Sequence, residues 1–172
     1  MFEQVNMGFV GGGNMGEALI KGVLGASLVS PERLHVFEVM PARVDYLKRQ
    51  FGITIRNSVE ELAAACQVIV IAVKPQTVGA VLPQLGSQCK HHPLIISIAA
   101  GVPLATLTQG LPPSVPVIRV MPNAPALVLA GASALARGAG VSDAQMELAM
   151  ALFRAVGKAI EVDEKLMDAV TG

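Results

Sequence analysis

Tryptophan is absent from this chain and tyrosine occurs once, which leaves too few aromatic rings for a surface that stacks nucleic-acid bases. Net charge is also missing: 13 basic residues balance 13 acidic ones, spread without blocks. There is therefore no electrostatic footprint for nucleic acid or for an anionic membrane. The only two cysteines, Cys66 and Cys89, lack the CxxC spacing of a metal or redox site and read as reduced thiols of a cytosolic protein. His91 and His92, in "SQCKHHP", read as solvated rather than ligating, and no metal site is expected. No apolar run approaches the ~20 residues of a membrane span, and no basic n-region opens the chain as a signal peptide would. The expectation is a soluble, cytoplasmic protein without nucleic-acid or membrane partners.

What the chain has in quantity is apolar residue, 52% of its 172 positions, enough for one domain with a sizeable core. Short apolar runs at 7–10, 34–38, 53–56, 68–73, 94–98 and 117–121 predict strands. "VIVIAV" and "LIISI" are apolar at nearly every position rather than alternating, as in strands covered on both faces. Residues 15–25, 41–51, 59–65 and 77–85 between them predict helices. Ser58 with Glu61, and Ser142 with Gln145, have the spacing of capping boxes. The second opens a helix whose Met146, Ala149, Met150, Phe153 and Val156 form one apolar stripe, read as core. "GASALARG" and "KAIEV" read as later strands of the same sheet, with room for antiparallel pairing at its edge. Such alternation implies right-handed crossovers and a mostly parallel, doubly wound α/β sheet with helices on both faces, one domain over residues 1–172.

Within that frame, Gly11-Gly12-Gly13-Asn14-Met15-Gly16 satisfies G-x-G-x-x-G, directly after the strand "MGFV" and opening a helix. Gly11 permits the sharp turn, Gly13 the approach of a pyrophosphate, and Gly16 the packing of helix on strand. The free N–H groups and positive dipole end of the helix then face phosphate. This Rossmann-type context predicts a dinucleotide; the plainer reading is a tight turn that binds nothing. Glu38, at the end of the second strand, can accept hydrogen bonds from the adenosine ribose and would repel a 2′-phosphate, favouring NAD over NADP. Arg43 can offset this by reaching a phosphate, or is a solvated helix charge, so the preference between NAD and NADP stays open. Ligands of open α/β sheets sit beyond the carboxyl ends of the strands. Those ends carry "AVKPQ", "SIAAG" and "RVMPNAPA", which put Ala72, Val73, Lys74 and Pro75, then Ala99 and Ala100, then Asn123 at the rim. Lys74 precedes Pro75, which biases its backbone to extended geometry.

Together, "FVGGGNMGEAL", "AVKPQ", "SIAAG", "RVMPNAPA" and the closing "DAVTG" closely resemble the pyrroline-5-carboxylate reductase family. The resemblance implies reduction of 1-pyrroline-5-carboxylate to L-proline with NADPH or NADH in proline biosynthesis. It implies an N-terminal dinucleotide-binding domain followed by an all-helical domain that makes the dimer. By motif, Val10 to Gly16 form the cofactor loop, Asn57 lies near the adenosine ribose and its phosphate, and Ala72–Pro75 with Ala99–Ala100 line the nicotinamide side. Two departures stand out. Ala124 replaces the threonine common in "MPNTP", and Glu38 sits where relatives often carry a hydroxylated or small residue compatible with NADPH. In the family "DAVTG" runs into a Ser/Gly-rich turn and the first helix of the dimerisation domain, whereas this sequence ends at Gly172. The family's substrate grip lies largely in that helical domain, so these residues are expected to bind cofactor and to turn over substrate poorly. No catalytic residue is assigned; Lys74 is the one titratable candidate at the cleft, and a weak one. The competing readings are a related hydroxyacid or 6-phosphogluconate-type dehydrogenase domain, a module that senses NAD(H) without chemistry, and a pure interaction domain.

Overall fold

The computed structural model describes residues 1–171, so Gly172 of "DAVTG" lies outside the described residues. Its elements run β1 (Met7–Val10), α1 (Asn14–Gly25), β2 (Leu34–Phe37), α2 (Pro41–Phe51), β3 (Thr54–Ile55), α3 (Val59–Ala65), β4 (Val68–Ile71), α4 (Pro75–Gly86), β5 (Leu94–Ser97), α5 (Leu104–Leu107), β6 (Val117–Pro122), β7 (Gly131–Arg137), α6 (Asp143–Arg154), β8 (Gly157–Glu161) and α7 (Met167–Thr171). One sheet takes the order β3-β2-β1-β4-β5-β6-β7-β8. Every neighbouring pair is parallel except β6–β7, whose antiparallel pairing runs from Ile118↔Arg137 to Pro122↔Ser133. The expected doubly wound α/β architecture is the one observed; the antiparallel pair is β6–β7, one strand in from the edge, and the edge strand β8 pairs parallel with β7.

The sheet is buried on both faces, which explains the unbroken apolar runs. Met7, Phe9, Val36, Val70, Ile96 and Val120 point into a core shared with α1 and α6. Val10, Ile69, Ile71, Ile95 and Val117 point the other way, into a core shared with α3, α4 and Leu107 of α5. The stripe predicted on α6 is buried throughout, Met146 to Val156. Fully burying side chains of this size contributes roughly 1.5–3 kcal/mol each. Cys66 and Cys89 are free and buried in the second core. Burial pushes their thiols up to about 12 and about 11, so both stay protonated and inert. His91 and His92 are exposed, but each is tied down: His91 Nε2 lies 2.8 Å from the Cys66 carbonyl and His92 Nδ1 2.8 Å from Ser114 Oγ.

The caps differ in one respect from expectation. Ser142 and Gln145 form the full reciprocal box. At α3, Ser58 Oγ accepts from Glu61 N–H, but Glu61 Oε2 takes the N–H and side-chain amide of Asn57 rather than the Ser58 N–H. Asn57 offers two donors where Ser58 offers one. The short α5 and α7 carry no periodic signal long enough to read. They are held by tertiary contacts: buried Arg119 on β6 bonds Glu164 at 3.2 Å and Asp168 at 3.3 Å, and Glu164 also accepts the Leu104 N–H at 2.7 Å. Among the described residues, no helix is long and apolar enough to cross a membrane.

One buried group makes stability pH-dependent. His35 on β2 is 5% exposed; its Nδ1 receives Arg56 Nε at 3.3 Å, and its Nε2 is buried without a hydrogen-bond partner. Burial, then the Arg56 charge, lower its pKa below the ordinary 6.5. The unfolded chain therefore takes up this proton first. The stability that neutral His35 confers is fully present above pH 6.5 and falls away as pH drops through the lowered value. Urea unfolding at a series of pH values should show wild type losing stability below pH 6.5 relative to His35→Leu; parallel profiles would mean that His35 protonates without cost.

Candidate functional site

The chain leaves β1 at Val10 and turns at Gly11, whose N–H donates to the Phe37 carbonyl at 2.9 Å. Gly11 has φ +102°, and a Cβ there would sit 2.6 Å from the Ala72 carbonyl oxygen. Conformation and space both demand glycine. A Cβ on Gly16 would lie 2.7 Å from the Gly11 carbonyl oxygen, so this residue seats the helix on its own turn rather than on the strand. Gly13 is different. Its φ is an ordinary −72° and no atom lies within 4 Å of a Cβ placed on it. Nothing in the fold itself requires glycine at 13, which faces open space at the mouth of α1. Gly13 also supplies no side-chain cap, so the first-turn N–H groups of α1 lack side-chain cover and face that space.

Two adjoining cavities open there, beyond the carboxyl ends of β1, β4 and β5. The first, about 350 Å³, collects Gly13, Asn14 and Met15 from the loop, Ala72, Val73, Lys74 and Pro75 after β4, and Ile98, Ala99 and Ala100 after β5, with Pro122 at its far side. The second, about 280 Å³, lies between Glu38, Val39 and Met40 after β2 and Thr77 and Val81 of α4, with Val10, Gly11 and Gly13 at its base. Gly13 and Ala72–Lys74 border both, so the two form one elongated cleft across the point where strand order reverses between β1 and β4. Val39 and Met40 are 75% and 59% exposed, apolar surface beside a cavity that suits a flat ring. The chemistry of the cleft suits a dinucleotide: backbone N–H groups at the centre, mostly apolar walls at both ends.

Charged side chains surround the loop rather than fill it. Glu38 Oε2 accepts the Gly12 N–H at 2.8 Å, while its Oε1 accepts the N–H groups of Val39 and Met40 at 2.8 and 3.0 Å. Arg43 does not point into the cleft: its Nε donates to the Gly12 carbonyl at 3.0 Å and its Nη2 to both that carbonyl and Glu17 Oε2. Glu17, 9% exposed, also receives Tyr46 Oη at 2.9 Å and pairs with Lys21 at 2.8 Å. Burial alone would raise its pKa, but the hydrogen bonds from Lys21, Arg43 and Tyr46 outweigh it and hold the carboxyl at about 2.

Two predicted residues stand apart from the cleft. Asn57 is exposed after β3 and bonds Glu61. Asn123 turns away to accept the Ala132 N–H at 2.8 Å, and lines a neighbouring groove with Ala124, Met121 and Ile160 that meets the first cavity at Pro122. Gly12 and Gly16 shape the loop without lining either cavity. Sequence reasoning missed Val39, Met40, Thr77 and Val81; the last two, four apart at the start of α4, present one helix face to the cleft and were legible in principle. It also missed Glu17, whose only signal was an acid in the first turn of a helix. Of the residues lining the first cavity, only Lys74 has an ionisable side chain. Among the described residues, no group of three or more His, Cys, Asp or Glu could hold a metal ion.

Comparison with known proteins gives a consistent picture. Residues 6–101 match the family model described as NADP oxidoreductase coenzyme F420-dependent. The chain is 39% identical over 170 residues to the pyrroline-5-carboxylate reductase of Methanosarcina acetivorans, covering 99% of this chain and 63% of that protein. Among solved structures it superposes on a pyrroline-5-carboxylate reductase from Coxiella burnetii with a TM-score of 0.94 at 30% identity, covering 98% of this chain and 63% of that one. It also superposes on Plasmodium falciparum pyrroline carboxylate reductase with NADP bound, with a TM-score of 0.86 at 29% identity, covering 99% and 62%. The chain thus spans somewhat under two thirds of the length of these relatives.

The two glycines should separate cleanly in stability. Gly11→Ala should cost about 2 kcal/mol or more, from backbone strain plus the contact with Ala72, whereas Gly13→Ala should stay within about 1 kcal/mol of wild type. Thermal or urea unfolding of both variants checks this, and equal losses would contradict the assignment of the space at Gly13 to a ligand.

Proposed function

The chain belongs to the NADP oxidoreductase coenzyme F420-dependent family, and on that premise we propose that it is the dinucleotide-binding part of a pyrroline-5-carboxylate reductase, forming L-proline from 1-pyrroline-5-carboxylate. The observation that carries the reading is the unfilled space at Gly13, at the centre of an elongated cleft lined by the ends of β1, β2, β4 and β5. The named relatives and the NADP-bound neighbour support the same reading.

In this reading the adenosine lies in the cavity between Val39–Met40 and Thr77–Val81, with its ribose at Glu38. The pyrophosphate meets the N–H groups at Gly13–Met15, and the nicotinamide faces Ala72–Pro75 and Ala99–Ala100. A nicotinamide held there supplies the hydride for reduction of a cyclic imine. The chain's own residues supply orientation and a largely apolar, water-poor wall. Ala99 is kept in place by its N–H bond to Ser97 Oγ, a fully buried hydroxyl. Lys74 faces this cavity and makes no side-chain hydrogen bond or ion pair among the described residues, so we assign it no proton transfer. The grip on the substrate carboxylate and ring nitrogen belongs to the portion of the relatives' length that this chain does not span, together with assembly into a homo-oligomer. Asn57 and Asn123 enter this reading only as neighbours of the site. We place the activity in the cytoplasm.

The test is fluorescence titration of the 172-residue chain with NADH and NADPH, then addition of pyrroline-5-carboxylate. Micromolar binding of at least one cofactor, with oxidation slow or absent, is expected. Gly13→Val should abolish binding while leaving the fold intact. Failure to bind either cofactor, or undiminished binding by Gly13→Val, would reduce the glycine loop to a turn.

A further inference from the structure

The peptide groups of Gly12 are gripped from two sides. Glu38 takes the N–H and Arg43 takes the carbonyl. Both side chains come from the β2–α2 segment, and because they end on the same residue, the guanidinium lies within one residue's span of the carboxylate assigned to the ribose. An arginine so close is the group that could neutralise a phosphate on the ribose 2′ oxygen. Here it is otherwise engaged. Its Nη2 pairs with Glu17 Oε2 at 2.8 Å, and its Cζ lies 5.1 Å from the Tyr46 ring centre. Glu17 is itself anchored by Tyr46 and Lys21. The arginine side chain is 28% exposed and that of Glu17 only 12%, so the pair is shielded from solvent on one side. To reach a phosphate, Arg43 would have to leave two acceptors, one of them a carboxylate with no other way to recover a guanidinium partner.

We infer that Glu17 is a positioning residue that sets cofactor choice: by holding Arg43 on the Gly12 carbonyl, it withholds the guanidinium from the ribose 2′ position, leaves Glu38 as the charge there, and makes the site prefer NADH to NADPH. This rests on the dinucleotide-binding reading above. No residue of the pair lines either cavity, so neither would be singled out from the cleft alone.

Dissociation constants for NADH and NADPH, measured on wild type, Glu17→Gln, Arg43→Ala and the double variant, test it. Wild type should bind NADH about tenfold or more tightly than NADPH. Glu17→Gln should move that ratio toward NADPH by about tenfold, the scale of one charge-assisted contact, and the gain should vanish in the double variant. Arg43→Ala alone should leave the ratio within about twofold of wild type, whatever it does to both affinities. Equal weakening of both cofactors by Glu17→Gln would mean a purely structural role and overturn the inference. So would a selective loss of NADPH affinity in Arg43→Ala, which would put the guanidinium on the phosphate already, or a wild type that prefers NADPH. Should Glu17→Gln not fold, the wild-type ratio and the Arg43→Ala arm decide alone. Binding of neither cofactor by wild type would instead remove the dinucleotide reading itself.

Discussion

The turn at Gly11 is the constraint on which the ligand side of this molecule depends. Strands β1 and β4 are neighbours, and the chain must leave β1 past the Ala72 carbonyl at the end of β4 with a backbone conformation that side-chain-bearing residues rarely adopt. That turn decides where α1 starts, and Gly16 then seats the helix against the carbonyl of Gly11 itself. The direction of α1 fixes where its open N–H groups aim, and so which strand ends can share a ligand with it. The cleft lies where the connections after β1 and β4 leave on opposite faces of the sheet, to α1 on one side and α4 on the other.

Around this turn the molecule separates binding from electrostatics. The cleft walls are mostly glycine, alanine, valine and proline, with backbone donors at the centre and Lys74 and Glu38 as the charged residues among them. The other ionic groups are set just behind, where Arg43 shares the Gly12 peptide with Glu38 and Glu17 holds Arg43. A loop so braced keeps its geometry without a bound ligand and loses less order on binding. The cleft offers orientation and a dry wall, and little acid–base chemistry of its own. A similar economy holds the far end: Arg119, buried in β6, draws Glu164 and Asp168 back onto the sheet and gives α7 its place, although α7 alone is too short to be stable.

The central strands were legible because burial on both faces demands apolar residues at every position, as Val68–Ile71 and Leu94–Ser97 show. Helices α2 and α3 were legible to the residue, since Pro41 and Ser58 mark their starts. The ends of β2 and β4 came out shorter than the apolar runs, because Glu38 folds back onto Gly12 and the chain after Ile71 turns toward α4. That the glycine loop, Ala72–Pro75 and Ala99–Ala100 lie together at the cleft could be read in advance because motif and strand end coincide at each. Arg43, Asn57 and Asn123 could not be placed, because each long or polar side chain had several partners within reach and the sequence does not rank them.

By itself, then, the sequence determined the doubly wound sheet, the two-sided core, the position of the glycine turn and the strand ends that face it. These follow from local rules: the period of apolar residues, the conformational freedom of glycine, the caps. Only the tertiary structure decided that Gly13 faces empty space while Gly11 and Gly16 do not, that Arg43 answers to Glu17 rather than to the cleft, and that Asn123 turns to β7. The reason is physical. Backbone conformation is set mostly by neighbours in sequence, whereas a charged side chain goes to whichever partner the packed chain brings within 3 Å, and Glu17 and Arg43 meet only because α1 and α2 lie side by side on one face of the sheet.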